Sequence, residues 1–169
     1  MKESDLSALS SRYRVRRLGE ADLSLVHALC LGNPLLYRYS GKTPSMEALR
    51  QDLQLAPPGV PPARKFYLGF FAGDTMLAVL DLIDGYPDAD TAYIGFFLMN
   101  PAYQGRGLGS ALIGELAAAL GRFGFRALRL GIDKGNPQSG HFWQKNGFTV
   151  LREVPGPDHA LLLAERRLA

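Results

Sequence analysis

The stretch Gln104-Gly105-Arg106-Gly107-Leu108-Gly109-Ser110 constrains this chain more than any other. It follows an apolar and aromatic run, Thr91–Met99, that Asn100-Pro101 terminates. It opens a segment, Gly107–Leu120, in which Leu108, Ala111, Leu112, Leu116, Ala119 and Leu120 recur at helical spacing. A strand that turns through glycines into a helix leaves the first helical amides unpaired and facing the turn, where the helix dipole adds about half a positive charge. Without Cβ atoms the glycines let an anion approach that backbone, so the turn reads as a cradle for a pyrophosphate. It is not a Walker loop, because no Gly-Lys-Ser/Thr follows, and it lacks the Gly-x-Gly-x-x-Gly order of a dinucleotide fingerprint. The same glycines would also suit a turn that only packs a helix tightly on a sheet. Beyond the helix, Arg126–Ile132 alternates Leu128, Leu130 and Ile132 against polar or small residues, which makes a β-α-β unit with parallel strands.

The rest of the chain supplies antiparallel partners for that unit. Tyr13–Leu18 reads as a first strand, followed by a helix with Leu23, Val26, Leu29 and Cys30 on one face, which Gly32-Asn33-Pro34 breaks. A loop holding Tyr37, Arg38 and Tyr39 leads to a second helix that Ser45 can cap, and the proline-rich 57–62 segment is a spacer. Lys65–Ala72 and Thr75–Ile83 form a hairpin around Gly73-Asp74, and a turn over residues 84–90 returns the chain into Thr91–Met99. Asn136-Pro137 starts a short helix that Gly147 stops, and Phe148–Val154 and Ala160–Arg167 close the chain as an antiparallel pair. The expected fold is mixed α/β (α+β): about seven strands in a mostly antiparallel twisted sheet, flanking helices and one central parallel crossover. Residues 1–12 are polar and aperiodic and read as a tail, leaving 13–169 as one domain, in keeping with a length of 169 residues.

Two blocks of sequence resemble one family. Asn100-Pro101-Ala102-Tyr103-Gln104-Gly105-Arg106-Gly107-Leu108-Gly109 is similar to the acetyl-coenzyme A signature of the GNAT superfamily of N-acyltransferases, Gln/Arg-x-x-Gly-x-Gly/Ala after a strand. Asn136 through Phe148 resembles that family's later helix, which normally carries a tyrosine where this chain has Trp143. The order of strands and helices from Tyr13 to Arg167 fits as well. The resemblance implies that the two parallel strands splay at their C-terminal ends and that the pantetheine arm pairs with the first through the backbone of Leu98 and Met99. It implies that Gln104, Gly105, Arg106, Gly107, Leu108, Gly109 and Ser110 hold the pyrophosphate, with Arg106 either reaching a phosphate or solvated, and that Asn136 and Phe142 border the pantetheine. Gly95 marks either the bulge that starts the splay or close packing against a neighbour.

The implied chemistry is direct attack by a neutral amine on the thioester of acetyl-coenzyme A, with no metal and no covalent enzyme intermediate. An alkyl ammonium with a pKa of ~10.4 is only about one part in 10³ neutral at pH 7, so a proton acceptor is needed. The family's strand carboxylate is missing around Tyr93, Ile94 and Gly95. Asp81 is the substitute, because a symmetric hairpin centred near Pro87 sets it opposite Tyr93; a water relay from Tyr93 is the other option. Trp143 stands where members often place a proton donor, yet an indole N–H does not release its proton usefully, and Trp143 also suits a core position. Asp84, Asp88 and Asp90, with Asp81, are expected to overlook the acceptor and favour a cationic amine. The competing possibility is a catalytically impaired module that keeps the acyl-coenzyme A cradle for regulation.

Composition bounds the partners. The net charge of +3 comes without a basic run, so nucleic-acid binding is not implied. No segment has the length of a membrane helix or of a signal-peptide core, and the single cysteine, Cys30, rules out an internal disulfide; both fit a cytoplasmic protein. A homodimer accords with the resemblance, although no exposed apolar stripe argues for it.

Overall fold

The computed structural model describes residues 1–169 as one seven-stranded sheet with helices on both faces. The strands are β1 (Arg14–Arg17), β2 (Lys65–Ala72), β3 (Thr75–Ile83), β4 (Thr91–Met99), β5 (Ala127–Asp133), β6 (Thr149–Pro155) and β7 (Ala160–Arg167). Their order across the sheet is β1-β2-β3-β4-β5-β7-β6. Every neighbouring pair is antiparallel except β4 and β5, the strands joined by the glycine turn and its helix. The helices are α1 (Leu23–Leu31), α2 (Pro34–Ser40), α3 (Met46–Asp52), α4 (Leu108–Arg122) and α5 (Pro137–Lys145).

Capping agrees with the sequence. Ser45 accepts from the Ala48 amide and Asn136 from the Ser139 amide, each at 3.1 Å, which satisfies one free donor at each helix start. Gly124, at φ +94°, lies just past the end of α4. The segment around Tyr37, expected as a loop, is the short helix α2, with Pro34 at its first turn.

Strand alternation splits the core in two. Phe66, Leu68 and Phe70 of β2, Ala78, Leu80 and Leu82 of β3, and Leu128, Leu130 and Ile132 of β5 face α4 and α5. Tyr67 and Val79 face α1 and α3 on the other side, where they meet Leu23, Val26 and Leu49. On β4 the alternation changes phase. Ala92 and Ile94 face the first core, but so do Phe97 and Met99, while Phe96 and Leu98 turn to the second. The cause is a bulge: Leu82 pairs with Ile94 and Asp81 with Phe96, leaving Gly95 as the extra residue. The parallel ladder between β4 and β5 ends at Ile94–Leu130, so the strands part at this bulge.

Two expectations are corrected here. Asp81 does not face Tyr93; Ile83 does, because the turn is placed later than the symmetric reading and Gly95 adds a further step. Residues 1–12 are no loose tail. Glu3–Leu9 form a 3-10 helix that buries Leu6 and Leu9 against the first core, and Ser10 and Ser11 donate to Glu115 of α4. Two apolar residues spaced by three were too sparse a pattern to register as periodic.

Leu9 is completely buried. Leu9→Ala should therefore lower unfolding free energy by about 2–5 kcal/mol in urea titration, the range for a buried leucine. A loss under about 0.5 kcal/mol would show that the segment behaves as a tail.

Candidate active site

The parting of β4 and β5 opens one side of β4. Its backbone beyond Gly95 is bonded to β3 on one edge and has no strand partner on the other. That open edge runs directly into the glycine turn. Gly105 and Gly107 sit at φ +73° and +76°, left-handed values that cost an L-residue strain, and a Cβ on either would project into open space. The first backbone bond of α4 goes from Ala111 to the Gly107 carbonyl, so the amides of Leu108, Gly109 and Ser110 have no intrahelical acceptor. Leu98, Met99, Gln104, Gly105, Gly107, Gly109 and Ser110 line a groove of about 390 Å³ whose opposite wall includes Asn136 and Phe142. Backbone donors, a helix N-terminus and an unpaired strand edge in one continuous groove suit a pyrophosphate carrying an extended amide-bearing arm.

Some side chains at the turn have structural duties. Gln104 donates to the Asn33 side chain at 2.6 Å and to the Met99 carbonyl at 3.2 Å, tying the turn to the start of α2. Leu108 packs against the first core, so only its amide is free for the groove. Arg106 is exposed and outside the groove lining. Asn136 is buried and spends its carbonyl oxygen on capping α5.

A second cavity, about 500 Å³, meets the groove at the splay, and Phe97, Ser139 and Trp143 line both. The seam is aromatic: Phe97 stacks on Phe142 at 6.1 Å, and Trp143 is edge-on to Phe142 at 4.9 Å and to Phe148 at 5.1 Å. Trp143 is both core and wall, since it is 7% exposed and still borders the two cavities.

The second cavity is polar at its floor. The Lys65 ammonium, 3% exposed, donates to Asp81 Oδ2 at 2.7 Å and to the Leu55 carbonyl at 2.7 Å. Tyr67 lies directly opposite Asp81 on the sheet. The Asp81 carboxylate rests against Gly95, where a Cβ would stand 2.8 Å from Oδ2. Gly95 is thus both the bulge and the close approach. Asp81 Oδ1 is buried without a hydrogen-bond partner, and the Tyr37 hydroxyl is buried beside the Cys30 thiol without a well-formed hydrogen bond. Burial pushes the Asp81 carboxyl up, with the neighbouring Lys65 pulling it back part of the way. Burial likewise raises Asp52, Tyr37, Tyr67 and Tyr93. Tyr93 packs edge-on against Tyr86 at 5.5 Å and lines the same cavity as Asp81. On the far lip, His159 meets Asp133 at 2.7 Å.

The aspartates of the turn over residues 84–90 do not overlook this cavity. Asp84 binds the Met1 amino group, Asp88 accepts from the Thr91 hydroxyl at 2.8 Å, and Asp90 pairs with Arg126. Their carboxylates are used in holding the turn, the N-terminus and the start of β5. The carboxylates at the cavity are instead Asp52, Asp81, Asp133 and Asp158. Lys65 was also missed. Its place at a strand start resembles a solvated lysine, and the signal available was its alternation in phase with Tyr67.

A model of the acetyltransferase (GNAT) family matches residues 35–148. A search of curated protein sequences returns no match. Among solved structures, the chain is similar to an acetyltransferase from Thermus thermophilus, at 28% identity over 92% of this chain and 97% of that one, with a TM-score of 0.74. It is similar to the PaiA N-acetyltransferase of Thermoplasma acidophilum, solved in complex with coenzyme A: 20% identity, 92% and 98% covered, TM-score 0.66. It is also similar to the ribosomal-protein-S18-alanine N-acetyltransferase of Escherichia coli: 18% identity, 93% and 94% covered, TM-score 0.65. At their identities the last two carry the fold alone.

Asp52 generates a test of the cavity's electrostatics. Its burial outweighs the attraction of Lys65 and lifts the carboxyl above its ordinary 3.8. A carboxyl with a raised folded value holds its proton more tightly folded than unfolded; that stabilisation is full below 3.8 and is lost as pH climbs through the raised value. Asp52→Asn removes the ionisation that causes the loss. Thermal melts should give the variant the higher Tm at pH 7, with the advantage shrinking toward about pH 3. A variant less stable than the parent at pH 7 would contradict the account.

Proposed function

We propose a mechanism for this chain on the premise that it belongs to the acetyltransferase (GNAT) family. It is an enzyme that transfers an acetyl group from acetyl-coenzyme A to an amine, and the proposal assigns residues to the steps. The observation that carries the assignment is the continuity at Gly95. There the open edge of β4, which leads to the α4 amides, passes within contact of the buried Asp81 carboxylate.

In this reading the amides of Leu108, Gly109 and Ser110, with the Gly105–Gly107 turn, hold the pyrophosphate, and the free edge at Leu98 and Met99 pairs with the pantetheine arm. Gln104 and Asn136 act by fixing the turn and the start of α5, while Phe142 and Phe97 wall the arm. Bound acetyl-coenzyme A supplies an activated carbonyl at the junction of the two cavities.

The amine arrives from the second cavity as an ammonium and must lose a proton before attack. Asp81 accepts it, directly or through one water. Its Oδ2 is fixed by Lys65, Oδ1 has no protein partner, and burial makes the carboxylate a stronger base than a solvated one. Lys65 positions Asp81 and keeps it ionised. Tyr93 stays protonated as burial raises it, so it can donate to a water between itself and the amine. Trp143 shapes the seam and excludes water. No proton donor is required of it, because a thiol with a pKa of ~8.5 leaves adequately as its anion.

The acceptor is proposed as a primary amine on a small molecule or on a protein or peptide. No helix is long and apolar enough to cross a membrane, and the lone cysteine is buried and free, which supports a reducing, cytoplasmic setting as part of the same proposal. The test is thiol release from acetyl-coenzyme A across amines, amino acids, aminoglycosides and peptides. Release above the hydrolytic background with at least one class is expected, and none above background with any class would overturn the assignment.

On the best acceptor, Asp81→Asn should lower kcat by ~10²–10⁴-fold and flatten the rise of rate with alkaline pH, while affinity for coenzyme A is retained. An unchanged pH profile would remove Asp81 from the mechanism.

A further inference from the structure

We propose that His159, oriented by Asp133, is a second proton acceptor for the reacting nitrogen, standing on the other side of the splay from Asp81. The proposal rests on the transferase reading and deepens it, giving a role to a pair that the reading leaves idle.

The first argument is proton balance. An ammonium nitrogen carries three hydrogens and the nitrogen of the product amide carries one, so every transfer removes two protons from it. The first leaves before attack. The second leaves the tetrahedral adduct as its carbon–sulfur bond breaks and the thiolate departs with the electron pair, while the new carbon–nitrogen bond remains. A carboxylate holds one proton at a time, and Asp81 already has Oδ2 engaged by Lys65. A second acceptor in contact with solvent spares the site from waiting for Asp81 to empty between the two steps.

The second argument is the geometry of the pair. His159 Nε2 lies 2.7 Å from Asp133 Oδ1. An ionised carboxylate accepts and does not donate, so the neutral ring carries its hydrogen on Nε2 and keeps a lone pair on Nδ1, which no protein group bonds. The His159 side chain is 30% exposed, so it lines the cavity and still touches solvent. Imidazole is the side chain that both binds and releases a proton near neutral pH. Its position is fixed from the backbone as well: the Gly156 amide donates to the His159 carbonyl at 3.0 Å, and the Lys134 amide to the Ala160 carbonyl at 3.1 Å. The acids beside the ring are Asp133 from β5 and the adjacent Asp158; Lys134 is spent on Glu153 of β6, Lys65 on Asp81, and Lys42 is the other cation of the cavity lining. An imidazolium formed here therefore has Asp133 as its partner.

The third argument is placement. Asp133 ends β5, beyond the last rung of the β4–β5 ladder at Leu130, so the pair stands on the β5 side of the parting. Asp81 stands on the β4 side, against Gly95. The Tyr93 hydroxyl lies between β4 and β5, since a Cβ on Gly131 would be 3.5 Å from it. Gly131 and Asp133 share a face of β5 roughly 6.6 Å apart, a span that one or two waters bridge. An amine at the splay thus has a proton acceptor on either side, and the one on the β5 side opens to solvent.

The experiment measures acetylated amine formed from the best acceptor at saturating acetyl-coenzyme A, in wild type, Asp81→Asn, His159→Gln and His159→Ala. Nitrogen-15 NMR of the histidine rings is the readout independent of turnover. His159→Gln should lower kcat about tenfold or more, short of the upper end of the ~10²–10⁴-fold worth of a general base because water replaces it in part, with KM for the amine little changed. Added imidazole should restore kcat of His159→Ala in a saturable way and leave wild type and Asp81→Asn unmoved, which a merely structural side chain does not produce. The neutral His159 ring, identified by its loss in His159→Gln, should be protonated at Nε2. A ring protonated at Nδ1, or a kcat for His159→Gln within about twofold of wild type, would overturn the role. A loss of kcat that imidazole does not restore would make the pair a brace for the loop and overturn it too. If no amine yields product in wild type, the reaction roles fail together, that of His159 included, whereas an active wild type beside an unimpaired His159→Gln removes this role alone.

Discussion

The missing Cβ at Gly95 is the constraint on which the site depends. A side chain there would collide with Asp81 Oδ2, so glycine is what allows a carboxylate to lie under the strand. As the extra residue of a bulge, Gly95 also changes which face each later residue of β4 presents. Past it, Phe97 and Met99 pack toward α4, the β4–β5 ladder has ended, and the strand has a free edge. One residue therefore couples the opening of the cofactor groove to the position of the proposed base.

The buried Lys65–Asp81 pair is better understood as a device for the site than as a source of stability. Removing two charges from water costs several kcal/mol for each ion, and a well-packed apolar pair of similar volume is often as stable or more so. Here the pair leaves one carboxylate oxygen without a partner and stands in a cavity beside a second acid, Asp52, that burial also disfavours. Raised carboxyls and unsatisfied polar groups collected at one cavity are the pattern of a fold that gives up stability where chemistry is done.

Much of the fold was legible in the sequence because its signals are local. Hairpin turns, helix caps and strand alternation gave seven strands, the parallel crossover and the glycine turn at a helix start; the resemblance to GNAT sequences added the splay. What was not legible depended on register and on long-range pairing. The position of Asp81 relative to Tyr93 turns on where a seven-residue turn bends and on one bulged residue, and neither leaves a mark in composition. The burial of Leu6 and Leu9 depends on α4, about a hundred positions away, through contacts such as Ser10 to Glu115. The turn aspartates were attractive by proximity in sequence, yet two of them pair with distant groups, Asp84 with the Met1 amino group and Asp90 with Arg126, and Asp88 is held by Thr91 within the turn. Asp52 and Lys65 reach the cavity only through the tertiary fold.

The central claim is that the free edge of β4 and the first amides of α4 together receive acetyl-coenzyme A. Amide hydrogen exchange, followed residue by residue with and without acetyl-coenzyme A, tests it most directly. The account predicts slowed exchange at the β4 edge beyond Gly95 and at Leu108, Gly109 and Ser110, because these donors acquire acceptors on binding. Binding that protected other segments and left both of these stretches unchanged would contradict it.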